Sequence, residues 1–80
     1  MENKIAVLAV IINDNSAVEK VNALLHEYRE FAVGRMGVPY RQKNVNIISV
    51  VLDAPLTAIN GLSGKLGMIE GVSSKVLTAK

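Results

Sequence analysis

The residues best placed to do chemistry begin with the polar turn Asn13-Asp14-Asn15, which follows an apolar run and precedes a helical pattern. Free amides at the start of a helix can hold a carboxylate, so this turn is a candidate ligand loop. The alternative is a turn whose short polar side chains satisfy their own backbone. A second group is Gly61, Gly64 and Lys65, with Thr57 and Met68 along the same side of a helical stretch. Each glycine inside a helix costs about 1 kcal/mol relative to alanine. Close approach of a partner helix, a backbone or a small ligand would offset that cost; otherwise the helix is short and frayed. His26, with Glu27 and Glu30 nearby, would need ligands from another chain to hold a metal, and the ordinary state of such a histidine is solvated. Arg35 and Arg41 either meet an anionic effector or a partner subunit, or serve to keep a sheet edge from pairing with other molecules. With no cysteine and a single histidine there is no Ser-His-Asp or Cys-His set and no multi-ligand metal site. The expectation is no catalytic residue, no metal and no cofactor.

These groups hang on a small set of elements. From Lys4 to Ile12, Ile5, Val7, Ala9 and Ile11 point one way and Ala6, Leu8, Val10 and Ile12 the other. From Asn44 to Asp53, Asn46, Ile48, Val50 and Leu52 alternate with Val45, Ile47, Ser49 and Val51. Both runs read as central strands that need cover above and below. Ser16 followed by Glu19 has the spacing of a capping box, and Val18, Val21, Leu25 and Tyr28, with Ala17 and Leu24, form the apolar stripe of a first helix. The stretch Phe31 to Arg41, with Gly34, Gly37 and Pro39, reads as an edge strand, and Gln42-Lys43-Asn44 as a hairpin connection. Pro55 suits the first turn of a second helix whose buried stripe is Leu56, Ile59, Leu62 and Leu66. That helix is expected to stop near Gly67 in a left-handed conformation, before a half-polar edge strand from Val72 to Leu77. The order βαββαβ predicts an α+β, ferredoxin-like sandwich over residues 1–80: a four-stranded antiparallel sheet, first and third strands central, with two helices on one face.

Eighty residues remove only about 60% of the unfolded chain's surface from water. Two helices cover one face of the sheet, and the other face is as apolar, so a homo-oligomer, dimer or tetramer, is expected. Ala6, Leu8, Val10, Ile48, Val50 and Leu52 are the expected interface. The charge of +2, from nine basic and seven acidic residues, has no run of one sign that would track phosphates. No stretch has the makeup of a signal peptide or a membrane span, which points to a cytoplasmic protein without membrane attachment.

Arg35-Met36-Gly37-Val38-Pro39-Tyr40-Arg41, Val45-Asn46-Ile47-Ile48-Ser49-Val50-Val51-Leu52, Ala58-Ile59-Asn60-Gly61-Leu62-Ser63-Gly64-Lys65-Leu66-Gly67 and Gly71-Val72 together carry a resemblance. The chain resembles the small stand-alone, ACT-like proteins called iron-only hydrogenase system regulators, and the Leu-Ser-Gly-Lys-Leu-Gly segment is its most specific part. The resemblance implies an oligomerising ACT-type domain, related in shape to the regulatory domain of nickel-responsive repressors, with a role in regulation. It also implies that the loop containing Asn13, Asp14 and Asn15 lines a crevice at a subunit interface, where a small effector such as an amino acid would sit. The repressors' His and Cys ligands and ribbon-helix-helix segment have no counterpart here, so neither nickel sensing nor autonomous nucleic-acid binding is expected.

Two other functions use the same architecture. Small acylphosphatases need an arginine in the first strand-to-helix loop to hold phosphate, and here Asp14 would repel it. Ferredoxin-like RNA-binding domains stack bases on aromatics of the two central strands, whereas Tyr28, Phe31 and Tyr40 all lie outside those strands.

Overall fold

A computed structural model describes residues 2–80. The elements are β1 (Asn3–Ile12), α1 (Val18–Glu27), β2 (Ala32–Tyr40), β3 (Val45–Pro55), α2 (Leu56–Gly67) and β4 (Val72–Thr78). Sheet order is β2-β3-β1-β4, all neighbours antiparallel, with β1 and β3 in the middle as their two-sided apolar pattern requires. Both helices pack on one face, giving the ACT-like ferredoxin-like sandwich.

The core lies between that face and the helices. Ala6, Leu8, Val10 and Ile12 of β1 and Ile48, Val50, Leu52 and Ala54 of β3 are buried against Val21, Leu24 and Leu25 of α1 and Ile59, Leu62 and Leu66 of α2. This inverts the expected interface. Ala6, Leu8, Val10, Ile48, Val50 and Leu52 are covered by the chain's own helices rather than left open for a partner. The open side belongs to the other parity: Ile5, Val7, Ala9 and Ile11 of β1 and Ile47, Ser49 and Val51 of β3. Because both parities are apolar, alternation shows that two faces need cover without showing which one the helices take.

The element ends depart from expectation in instructive ways. The Ser16–Glu19 capping box does not form. Instead Asp14 caps a 3-10 turn, Asn15–Ala17, with its Oδ1 accepting from the Ser16 amide at 3.0 Å and the Ser16 hydroxyl at 2.8 Å. A carboxylate two residues ahead reaches the free amide first, and α1 starts only at Val18. Gln42-Lys43-Asn44 is not a bare hairpin connection but the end of a 3-10 turn, Arg41–Lys43, closed by Asn44 in the left-handed region (φ 54°). The left-handed glycine is Gly71 (φ 82°) rather than Gly67, because α2 ends through Met68 in a right-handed conformation and the reversal into β4 comes later. Leu56 begins α2 but stays 44% exposed, one turn too early to reach the sheet.

Candidate functional site

The turn Asn13-Asp14-Asn15 is tied into the protein itself. The Asn13 amide donates to the Gly71 carbonyl at 2.8 Å. The Asn15 amide group donates to Asn44 Oδ1 at 3.2 Å, while Asn46 Nδ2 donates to Asn15 Oδ1 at 3.1 Å, so the side chains stitch the β1 end to the start of β3. The hydroxyl of Ser16, then its backbone amide, hold the Asp14 carboxyl below the usual aspartate range. Asp14 is thus satisfied within the turn, whereas Asn15 is held by side chains from around the start of β3.

Gly61 and Lys65 lie elsewhere, against the end of α1. A Cβ at Gly61 would come 3.3 Å from the Tyr28 hydroxyl, so the glycine lets that tyrosine settle on α2, whereas the same addition at Gly64 meets nothing within 4 Å. Lys65 Nζ sits 5.2 Å from the Tyr28 ring centroid, a cation–π distance. The Tyr28 hydroxyl, chiefly, raises the Lys65 pKa above its ordinary value. The two groups of candidates are therefore not one site: Asn13, Asp14 and Asn15 face Gly71 and the start of β3, and Gly61 and Lys65 face Tyr28.

Beside Tyr28 the structure opens a cavity of about 250 Å³ that no single sequence motif announces. Its position follows from β2. Paired with Leu52, Val50, Ile48 and Asn46 of β3, the residues Ala32, Arg35, Gly37 and Pro39 are the ones on the helix side of that edge strand. Ala32, one of the two β2 residues that line the cavity, has little side chain to fill the space beside α1, and the whole strand is exposed. Leu25, Val50, Leu52 and Leu62 form the apolar floor, and Asn22, His26, Arg29 and Arg35 stand around the mouth. Arg35 donates to Asn22 Oδ1 at 2.7 Å, and Arg29 donates to the His26 carbonyl at 2.9 Å. The signal available in sequence was the spacing of Asn22, His26 and Arg29, a polar stripe along α1 and into the 3-10 turn Arg29–Phe31 that follows it; its meeting with Arg35 depends on tertiary packing. Among the described residues, no three His, Cys, Asp or Glu side chains group as metal ligands would.

A further feature is the helix-free side of the sheet. Met36 and Val38 of β2, Ile47 and Val51 of β3, Ile5, Val7 and Ile11 of β1, and Leu77 of β4 lie on it in paired rows. Val7 is 41% exposed, Ile11 43% and Leu77 73%. Large contiguous apolar patches ordinarily mark an interaction surface. Among the described residues no helix is long and apolar enough to cross a membrane.

Comparison with known proteins agrees with the architecture. The structure of the uncharacterized protein TM1266 from Thermotoga maritima superposes with a TM-score of 0.94 at 38% identity, covering 99% of this chain and all of that one. A formyltetrahydrofolate deformylase from Pseudomonas putida KT2440 matches at a TM-score of 0.65 and 16% identity, over 91% of this chain and 28% of the enzyme, which is a likeness of fold. No curated protein matches. Residues 4–76 fit the profile of the TM1266-like family, described as iron-only hydrogenase system regulator, and the chain belongs to that family.

Proposed function

We propose that this chain is a non-enzymatic regulatory module that works as an assembly of identical copies, joined through the helix-free face of the sheet, and that responds to a small effector. The family description supports regulation, with the hydrogenase system as its target. The observation that carries the assembly is the open face itself, where Val7 sits between Val51 and Leu77 in a mainly apolar centre that Asp53, Ser49, Ser73 and Lys75 flank on the same side of the sheet. Interfaces of stable complexes bury about 800 Å² per partner around an apolar centre, and Val7, Val51 and Leu77 supply such a centre. A two-fold pairing of identical faces would bury both at once.

Light scattering with Val7→Lys tests the reading. The wild type is expected at a multiple of 8.6 kDa, and the variant, which would bury an unpaired ammonium in the contact, at 8.6 kDa. A wild type that stays at one chain's mass at micromolar concentration would refute it.

A further inference from the structure

The cavity beside α1 combines an apolar floor with a basic mouth. Leu25, Val50, Leu52 and Leu62 close the bottom, Arg29 and Arg35 stand at the opening, and no carboxylate is among its lining residues. We propose that it binds a small organic carboxylate with an aliphatic or aromatic body, the body on the leucine floor and the carboxylate at the two arginines. This places the effector and gives its class. It rests on the regulatory reading only in calling the ligand an effector, since the cavity is complete within one chain.

Both arginines are held without being used up. Arg35 gives one N–H to Asn22 and Arg29 one to the His26 carbonyl, and a guanidinium has five donors in a planar fork. Anchoring at one donor restricts each side chain and leaves others for a carboxylate, whose two oxygens match the fork. Among the described residues the side-chain ion pair within 4 Å is Lys4 with Glu2, at 3.9 Å, so neither arginine has an acidic partner at that distance. The size favours a small ligand. Sites for drug-sized molecules run to about 300–1,000 Å³, and 250 Å³ suits something smaller than a nucleotide. Inorganic phosphate would leave the apolar floor unused.

The test is a methyl-NMR titration of the wild type with isovalerate and phenylacetate, set against their uncharged amides and inorganic phosphate at constant ionic strength. Saturable shifts of the Leu25, Val50, Leu52 and Leu62 methyls are expected with at least one carboxylate, and weaker binding by about tenfold or more in Arg29→Gln and in Arg35→Gln, the loss expected of a charged hydrogen bond. The proposal is overturned by no saturable shift with either carboxylate up to about 20 mM, well above a millimolar dissociation constant. Amides or phosphate that match the carboxylates, or binding unchanged in both variants, overturn it equally. Light scattering on the same samples separates the two readings: binding by a lone chain would sink the assembly and leave the site standing.

Discussion

Gly71→Ala should cost this protein a large share of its stability, and the size of the loss can be worked from the geometry of one contact. Gly71 holds φ at 82°, and a Cβ built there would lie 2.6 Å from the Asp14 Cβ, with the Asp14 amide nitrogen at 3.5 Å and its Cα at 3.6 Å. Carbon atoms in contact ordinarily sit about 3.5–4.0 Å apart, so the overlap is about 1 Å. Rotation cannot relieve it, because a Cβ moves only with its backbone, and that backbone is held by the hydrogen bond from Asn13 to the Gly71 carbonyl. The left-handed conformation costs an L-residue about 1–2 kcal/mol, and forcing in an extra carbon typically about 1–3 kcal/mol. Alanine returns about 0.4–1 kcal/mol by restricting the unfolded chain. The net is about 1–5 kcal/mol, against about 5–15 kcal/mol for a whole domain. In a domain of this size each kcal/mol moves the melting temperature by about 4–8 °C, which predicts a fall of at least about 4 °C. Urea unfolding at one fixed protein concentration measures the loss without confusing it with assembly. The double variant with Asp14→Gly removes the atom that is struck but not the unfavourable φ, so a double-mutant cycle should return the clash and leave the conformational part. If Gly71→Ala unfolds within about 0.5 kcal/mol of the wild type, a range ordinary for inert surface changes, the reasoning fails.

The other predictions concern α2 and the Asp14 cap. Gly64→Ala should raise stability by up to about 1 kcal/mol, since the added carbon meets nothing and helix propensity improves; a loss in urea unfolding would refute the open-space reading. The Asp14 pKa lies below its ordinary 3.8 in the folded protein because the Ser16 hydroxyl and amide favour the carboxylate. The folded state therefore binds this proton less readily than the unfolded one. The contribution is complete above the ordinary value and is withdrawn as pH falls through the folded one. Wild type and Asp14→Asn should then differ most near neutral pH and converge in acid, and parallel stability curves would count against the cap.

The strands and helix stripes were legible because they depend on local period. Two-sided alternation placed β1 and β3 in the middle of the sheet, and Val21, Leu24 and Leu25 at helical spacing are buried as that spacing requires. Leu56 shares the period of its stripe but falls outside the sheet's reach, which no spacing reveals. The caps were less legible because neighbouring residues compete: Asp14 and Ser16 can each cap, and Gly67 and Gly71 can each turn left-handed, and the choice follows from how β1 and β4 meet. The polar loop at Asn13-Asp14-Asn15 was visible as a loop, yet its partners Asn44, Asn46 and Gly71 come from remote segments. His26, Arg29 and Arg35 are unremarkable separately, and only the packing of α1 beside β2 makes them neighbours of one cavity.

The two apolar parities of β1 and β3 also bear on how the chain finds its fold. In most sheets a strand that slides by one residue turns oily groups to water and is rejected. Here such a slip would keep both surfaces oily, so burial alone penalises the error weakly. The instruction to stop in the right frame must then come from points that fit one alignment only: the glycine at 71 seated on Asp14, the three-asparagine stitch across the strand ends, and the irregularity between Ala32 and Gly34. Loosening those pins should give not only a weaker protein but a less singular one, with misaligned conformers appearing as extra resonances before the chain unfolds.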